Sequence, residues 1–174
     1  FLATLAPMID FKNKLVPLIE TSRAIETVTQ IAAFKDVVGL FFGAADASAS
    51  LGCKLAWEPL LYARHRVVLA ASMFNLFTID APYFYIDKMA GLKEEAEAVK
   101  NLGFTGKAAI HPDQIDYINE AFSPSAEEKA EAKKVLEEYQ KSGGGAIKVD
   151  GQMIDEPIAE AMRLKITLGE EEKK

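Results

Sequence analysis

The 174-residue chain contains 49% hydrophobic residues, enough to fill the core of one ordinary domain. Its 20 basic and 26 acidic side chains give a net charge of −6, which argues against nucleic-acid binding, because that activity needs clustered Lys and Arg. A single cysteine excludes an internal disulfide, and no apolar run approaches the roughly 20 residues that cross a bilayer, so we expect a cytoplasmic protein without nucleic-acid or membrane partners.

Short apolar runs alternate with longer segments of helical periodicity along the first two thirds of the chain. The pattern predicts strands at 15–19, 37–42, 77–80 and 107–110, and helices at 23–34, 58–74, 92–102 and 112–121. Strands that alternate with helices and are almost wholly apolar indicate a parallel sheet covered on both faces. The sequence therefore predicts an α/β fold made of four βα units.

Each predicted strand leads into a polar residue at its C-terminal end, namely Glu20, Asp46, Asp80 and His111. An open doubly wound sheet and a closed TIM barrel both fit the alternation of elements. The barrel is favoured, because its catalytic groups gather at the rim formed by the carboxyl ends of the strands. Four units make half of such a barrel.

The composition changes after Ser123-Pro124-Ser125. A charged amphipathic helix is predicted over 126–141, a hairpin around Asp150-Gly151, and a last helix over 156–167. We therefore divide the chain into a partial TIM-barrel domain at 1–122 and a C-terminal lid or oligomerisation segment at 123–174.

Glu20 and Asp46 end neighbouring strands, so their carboxylates should lie on one rim within reach of a shared ion. Two carboxylates, together with waters and substrate oxygens, are how Mg²⁺ is usually held. The small residues around Asp46, Ala45 among them, leave room for a bound substrate whose carboxylate the loop amides could contact. The alternative is that both acids only cap the helices that follow them.

Other polar residues have plainer interpretations beside the functional ones. Asp80-Ala81-Pro82 could line a ligand groove, or form a simple βα turn. His111 on the same rim is typical of a hydrogen-bonded structural histidine as well as of a base. Arg64 is expected to be buried and paired, and Arg66 to be solvated.

Six ordered blocks of the sequence resemble a known family. They are PLIET (17–21), FFGAAD (41–46), YARHRVVLAA (62–71), IDAPYFYIDKMAGL (79–92), GFTGKAAIHPDQI (103–115) and GQMIDEPIAEA (151–161). Together they resemble the citrate lyase β-subunit family within the HpcH/HpaI aldolase superfamily, which includes malyl-CoA and citramalyl-CoA lyases.

The resemblance implies a (β/α)8 barrel that binds Mg²⁺ through Glu20 and Asp46. It implies cleavage of a 3-hydroxyacyl thioester of the citryl-, malyl- or citramalyl-CoA type to an acetyl thioester and a 2-oxo acid. The thioester would be carried on CoA or on an acyl carrier. Ile79, Asp80 and Pro82 then lie beside the CoA and acyl moiety, and Ala45 beside the substrate.

The resemblance also assigns a catalytic role to Asp155, as the proton donor and acceptor supplied by an adjacent subunit. It therefore implies a homo-oligomer, a trimer or a hexamer. From the residues alone, the N-cap of the last helix is the favoured role of Asp155, and that role is compatible with the catalytic one.

The family's N-terminal half, with its first four strands and a substrate-clamping Arg, has no match in this sequence. Residues 1–13 resemble the helix before the fifth strand, so we expect a chain that begins mid-barrel and has little lyase activity by itself. Two alternatives stay open: a superfamily aldolase that acts on free 2-oxo acids, and an inactive or structural subunit that needs a complementary chain.

Overall fold

The computed structural model describes residues 14–143 and 145–171, with side chains described as far as residue 163. These residues form two compact units that divide between Phe122 and Ser123. Each unit has its own apolar core. The segment 1–13, which the resemblance predicts to be a helix, lies outside the described residues.

The first unit alternates strands with helices. In chain order its elements are β1 (Leu18–Ile19), α1 (Ser22–Glu26), α2 (Val28–Ala32), β2 (Gly39–Phe42), α3 (Ala44–Leu51), α4 (Trp57–Ser72), β3 (Phe77–Asp80), α5 (Met89–Leu102), β4 (Gly106–Lys107) and α6 (Ile115–Phe122). A short 3-10 helix, Pro112–Gln114, precedes α6.

The four strands form one parallel sheet in the order β1-β2-β3-β4. Leu18 pairs with Phe41 and Gly39 pairs with Phe77, and β4 continues the same parallel arrangement beside β3. In a (β/α)8 barrel each strand likewise neighbours the next strand of the chain. The predicted α/β fold with a parallel sheet is confirmed.

The two faces of this sheet have different surroundings, because side chains alternate between the faces along each strand. Leu40, Phe42 and Thr78 lie on the face that α4 covers, and all three are buried. Leu18 and Phe77 lie on the opposite face and are 45% and 41% exposed. Helices thus cover one face within the described residues, where the sequence predicted cover on both.

The helix predicted over 23–34 is two short helices, α1 and α2, which meet at Thr27. The Thr27 hydroxyl donates a 2.8 Å hydrogen bond to the Arg23 carbonyl, a local bond that competes with regular helix geometry. The last strand is also shorter than predicted. The Ile110 N–H bonds to the Gln114 side chain rather than to a neighbouring strand.

The loop predicted around Asp46 is a helix, α3, in which Asp46 lies in the first turn. Alanine, the strongest helix former, supplies much of this segment, which explains why the residues fold as a helix. The helix ends at Gly52, whose φ of 66° is a left-handed conformation that glycine adopts without strain.

The second unit contains α7 (Ala126–Lys141), β5 (Ile147–Val149), β6 (Gln152–Ile154) and α8 (Glu156–Glu171). Ser125 and Glu128 form a capping box at the start of α7. Asp150 and Gly151, with φ of 47° and 90°, make the predicted hairpin turn between β5 and β6. No helix in the described part of the chain has the length and apolar character needed to span a membrane.

Candidate metal and substrate site

Two acidic residues follow adjacent strands of the parallel sheet. Glu20 comes directly after β1, and Asp46 lies in the first turn of α3, which follows β2. Since β1 and β2 pair in parallel, both acids lie at the same edge of the sheet. Alternation along β1 gives Glu20 the same orientation as Leu18, towards the exposed face of the sheet.

The structure brings the side chains of Glu20 and Asp46 together. Glu20 is half-buried and Asp46 is exposed. Burial raises the pKa of Glu20 above its ordinary value, and the Asp46 carboxylate raises that pKa further through its negative charge and through a hydrogen bond between the two groups. The two carboxyl groups therefore lie within hydrogen-bonding reach of each other, and the ionised form of Glu20 is disfavoured.

Gly43 makes room for the Glu20 side chain between β2 and α3. A Cβ placed on Gly43 would lie 2.7 Å from the Glu20 Cβ and 3.0 Å from its Oε2, closer than real side chains pack. Any larger residue at position 43 would have to displace Glu20. The glycine is thus required by close approach, and it fixes where the carboxylate can lie.

Helix capping does not account for Glu20. The side chain of Thr21, the next residue, is the N-cap of α1 and accepts a 3.1 Å hydrogen bond from the Ala24 N–H. The N-cap of α3 is Gly43, which has no side chain. Asp46 in the first turn of α3 does have a favourable interaction with the helix dipole, but that position leaves its carboxylate exposed.

The donor set fits a hard divalent cation that keeps several waters. Glu20 and Asp46 would supply two carboxylate ligands, and Mg²⁺ commonly binds one or two carboxylates and completes its octahedron with water and substrate oxygens. A cation between the two groups would also relieve the repulsion that raises the Glu20 pKa. No cluster of three or more metal-binding side chains occurs among the described residues.

Asp80 ends β3, as the sequence predicted, but its carboxylate is buried rather than open to the rim. Its side chain is completely buried, and alternation along β3 directs it to the face covered by α4. One carboxylate oxygen accepts a 2.8 Å bond from the Arg64 Nε, and the other accepts a 2.9 Å bond from the Lys107 Nζ. This placement does not fit direct contact between the Asp80 carboxylate and a substrate.

Lys107 extends this arrangement into a cluster of four charges, which we call the charge cluster: Arg64, Asp80 and Lys107 are buried, and Glu95 is partly exposed. The Lys107 Nζ also donates to Glu95 Oε1 at 2.6 Å and to the Ala81 carbonyl at 2.7 Å. The expectation that Arg64 is buried and paired is confirmed. Sequence reasoning missed Lys107 and Glu95. Lys107 could have been found, because it is a charged residue in a predicted apolar strand whose neighbouring strand ends in Asp80.

The remaining substrate candidates lie around the same edge of the sheet. Ala45 is exposed in the first turn of α3, and Ile79 is half-buried near the end of β3. Pro82 is half-buried and lines a pocket together with Trp57 and Arg64. Contact between these residues and a substrate stays a prediction.

Asp155 lies in the second unit, immediately before α8. Its Oδ1 accepts a 3.4 Å hydrogen bond from the Ile158 N–H, which is the bond that an N-cap aspartate makes. The side chain is half-buried. The capping role is thus observed, and the proposed catalytic role stays a prediction.

Two further rim or helix residues have structural contacts. The His111 Nδ1 accepts a 3.3 Å hydrogen bond from the Asp113 N–H at the start of the 3-10 helix, so His111 is an N-cap. Arg66, expected to be solvated, is half-buried and donates from Nη2 to the Glu26 carbonyl at 2.8 Å.

Comparison with protein-family models matches residues 11–112 to HpcH/HpaI aldolase/citrate lyase. Human mitochondrial citramalyl-CoA lyase is 36% identical over 170 residues, which cover 88% of this chain and 49% of that protein. The citrate lyase subunit beta of Haemophilus influenzae is 32% identical over 87% of this chain and 54% of that protein. The chain spans about half the length of the curated relatives it matches.

This chain is also similar to solved structures. CitE from Mycobacterium tuberculosis, solved in complex with magnesium, acetoacetate and coenzyme A, superposes with a TM-score of 0.82 at 32% identity, covering 91% of this chain and 62% of that chain. RipC from Yersinia pestis is 42% identical with a TM-score of 0.69, covering 73% of this chain and 60% of that chain.

Proposed function

Because the chain belongs to the HpcH/HpaI aldolase/citrate lyase family, we propose that it forms part of a Mg²⁺-dependent carbon–carbon lyase. The substrate is a 3-hydroxyacyl thioester of the citryl-, malyl- or citramalyl-CoA type, and the products are an acetyl thioester and a 2-oxo acid. The observation that carries this proposal is the meeting of the Glu20 and Asp46 carboxyl groups at the carboxyl edge of a parallel sheet.

Glu20 and Asp46 hold the Mg²⁺ ion in this proposal. Bound Mg²⁺ supplies Lewis-acid polarisation of the carbonyl oxygen of the 2-oxo acid portion. Gly43 keeps Glu20 in position by leaving the space that its side chain occupies. The exposed start of α3 at Ala45 offers backbone N–H groups, and the positive end of the helix dipole, to the substrate carboxylate.

Asp155 is proposed to move the proton of the acetyl group, acting at an adjacent copy of the protein. Its carboxylate is one residue before α8 and accepts a long, 3.4 Å hydrogen bond from the Ile158 N–H, and a carboxylate can accept several hydrogen bonds at once. This role requires a homo-oligomer, for which we propose a trimer or a hexamer, in the cytoplasm. Asp155→Asn should leave Mg²⁺ binding intact and reduce turnover. Mixed oligomers of Asp155→Asn and Asp46→Ala subunits should recover part of the activity.

The primary test compares Asp46→Asn with Asp116→Asn in the intact protein. Both replace an exposed aspartate in the first turn of a helix, and Asp116 lies in α6, away from Glu20. Asp46→Asn should abolish Mg²⁺ binding by calorimetry and release of 2-oxo acid from a citramalyl-CoA type thioester, whereas Asp116→Asn should match the unaltered protein. Turnover at the normal rate in Asp46→Asn would refute the metal assignment.

The same assay separates the thioester lyase from an aldolase that takes free acids. Cleavage is measured with the CoA thioester and, in parallel, with the corresponding free hydroxy acid. Turnover of the thioester alone supports the proposed reaction. Comparable turnover of the free acid would assign the protein to the aldolases of the family instead.

A further inference from the structure

Two serines on different helices are joined by hydrogen bonds beside the Glu20–Asp46 pair. The Ser22 N–H donates a 2.8 Å hydrogen bond to the Ser50 Oγ, and the Ser50 hydroxyl in turn donates to the Ser22 Oγ at 3.2 Å. Ser22 is the first residue of α1, and Ser50 is the next-to-last residue of α3. We call these two bonds the serine clamp.

The serine clamp closes a ring of backbone around the two acids. At the other end of the ring, the Gly43 N–H donates a 3.0 Å hydrogen bond to the Ile19 carbonyl. One acid lies in the segment 19–22 and the other lies in the segment 43–50. Each acid is thus carried on a short segment whose two ends are hydrogen-bonded to the segment of the other acid.

The two ends of the ring have different origins. The bond from Gly43 to Ile19 continues the pairing of β2 with β1, and it joins backbone groups that almost any sequence would supply. The serine clamp, in contrast, depends on a side-chain hydroxyl at position 50. This end of the ring can therefore be altered without removing a bond of the sheet.

The start of α1 does not need a residue from another helix. Thr21 already caps α1, and Ser22 is exposed, so water could accept the hydrogen bond of the Ser22 N–H in place of Ser50. A hydrogen bond between exposed groups adds little to stability, because both groups are hydrated in the unfolded chain. What the serine clamp does supply is a fixed distance between α1 and α3.

The two helices differ in how firmly the core holds them. Three residues of α3 are buried, so packing sets the position of this helix. Helix α1 has five residues, of which one is buried, and a helix this short has little stability of its own. The serine clamp therefore ties the segment after Glu20, which packing holds weakly, to the helix that carries Asp46.

The separation of two carboxylates decides which divalent cation they suit. Mg²⁺ requires nearly ideal octahedral geometry with bonds of about 2.0–2.1 Å, whereas Ca²⁺ accepts variable geometry with bonds of about 2.3–2.6 Å. Carboxylates held at a fixed separation can meet the stricter requirement of Mg²⁺. Carboxylates that are free to move apart lose this advantage and suit Ca²⁺ about as well as before.

We propose that the serine clamp makes the cation site selective for Mg²⁺ over Ca²⁺ by fixing the separation of Glu20 and Asp46, an inference that rests on the proposed Mg²⁺ site. Ser22 and Ser50 are positioning residues, since they act through the two acids. Loss of the clamp should weaken Mg²⁺ binding about tenfold, the low end of what partners outside the ligand shell contribute. Ca²⁺ binding should weaken by roughly twofold at most, because its geometry is less strict.

The serine clamp can be removed from either side. Ser50→Ala deletes the acceptor and places a strong helix former in α3. Ser22→Pro deletes the N–H donor at the first position of α1, where proline is well tolerated. Thr21, with φ of −121° and ψ of 152°, already has the extended conformation that precedes a proline. Calorimetric titration of the intact protein with Mg²⁺ and with Ca²⁺, without substrate, should show the same fall in the Mg²⁺-to-Ca²⁺ affinity ratio for both variants.

A double-mutant cycle separates the serine clamp from two unrelated effects. Because both changes remove the same bond, the protein carrying both Ser22→Pro and Ser50→Ala should bind Mg²⁺ no more weakly than either single variant. Ser50→Thr keeps the hydroxyl and should keep the selectivity. Ser72→Ala is the matched control: Ser72 is also an exposed helical serine, but its hydroxyl donates to the Leu69 carbonyl of its own helix, so neither affinity should change.

Hydrogen exchange of the metal-free protein tests the bond itself. Ser50→Ala should accelerate exchange of the Ser22 amide severalfold, and unaltered exchange would overturn the inference. An unchanged Mg²⁺-to-Ca²⁺ ratio in Ser50→Ala or in Ser22→Pro, or losses that add in the double variant, would also overturn it while leaving the Mg²⁺ site in place. Either single variant decides the question if circular dichroism shows that the other does not fold. Absence of Mg²⁺ binding in the unaltered protein would instead overturn the proposed function, and this inference with it.

Discussion

The two units of the protein use ion pairs of similar length in opposite surroundings. In the first unit, the Lys107 Nζ and Asp80 Oδ2 are 2.9 Å apart, and both side chains are fully buried. In the second, the Lys134 Nζ and Asp150 Oδ2 are 2.6 Å apart, but the two side chains are 53% and 75% exposed. Water screens the exposed pair, whereas the buried cluster has lost its hydration and depends on its internal partners. Burial, rather than the distance between the charged atoms, therefore decides how strongly the stability of the fold depends on each pair.

The largest effect is expected from Asp80→Ala. Removal of this carboxylate leaves Arg64 and Lys107 buried with only Glu95 to balance them, which should lower the free energy of unfolding by about 3–5 kcal/mol. Urea denaturation of the intact protein measures the change. A loss of stability no greater than that of a surface substitution would contradict the claim that the buried pair matters more than the exposed one.

A smaller loss is expected from Glu95→Gln, at the edge of the charge cluster. The Glu95 side chain is 25% exposed, so water partly replaces the hydrogen bond that it accepts from Lys107. We expect a loss of about 1–2 kcal/mol in the same urea experiment, between a fully buried and a surface pair. An effect as large as that of Asp80→Ala would mean that the stability contribution of a cluster member does not depend on how exposed its side chain is.

A third region, the Glu20–Asp46 pair, holds like charges together rather than opposite ones. Gly43→Ala should push Glu20 aside without removing a carboxylate, and should weaken Mg²⁺ binding about tenfold, as displaced positioning groups do at other metal sites. Gly106→Ala is the control, since a Cβ there meets only the Thr78 carbonyl oxygen, at 4.0 Å. Calorimetric titration with Mg²⁺ compares the two variants, and equal affinities would remove the role assigned to Gly43.

The same pair gives a pH dependence opposite to that of a carboxylate in a salt bridge. Burial and the Asp46 charge raise the Glu20 pKa, so the metal-free folded protein holds this proton more tightly than the unfolded chain does. Its free energy of unfolding should fall slightly as the pH rises from the ordinary Glu pKa through the raised one. Mg²⁺ affinity should rise over the same interval. Glu20→Gln should flatten both trends, and unchanged trends would exclude Glu20 as their source.

The smallest effect is expected from Lys134→Gln in the second unit. Its bond to Asp150 raises the pKa of Lys134, yet both side chains are open to water. The urea midpoint of this variant should coincide with that of the unaltered protein. A clear shift would show that the short surface pair contributes more than its exposure allows.

The sequence predicted the fold well where local patterns decide it. The strand at Phe77–Asp80, the helix at Ala126–Lys141 and the hairpin around Asp150-Gly151 were predicted from an apolar run, a charged amphipathic pattern and a turn dipeptide, respectively. Asp46 was misjudged, because a run of small residues was interpreted as a loop although alanine favours helix.

Only the part of the site that depends on the pairing of neighbouring strands was predicted from the sequence. Glu20 and Asp46 were placed together because parallel strands end at one edge, and their role as Mg²⁺ ligands stays a proposal. Asp80 was correctly predicted to end a strand, but the sequence did not say which face of the sheet its side chain occupies, and its contact with a substrate stays a prediction. The direction of the side chain depends on register and on the tertiary partners Arg64 and Lys107, which lie 16 and 27 residues away.

The charge cluster also constrains how the protein can change over generations. Replacing a buried ion cluster by well-packed apolar residues is often neutral or even stabilising, but losing one member alone is severely destabilising. An apolar core at this place would therefore need several members of the charge cluster to be replaced at the same time. Single substitutions at the three buried members, Arg64, Asp80 and Lys107, are therefore disfavoured, whether or not the cluster takes part in catalysis.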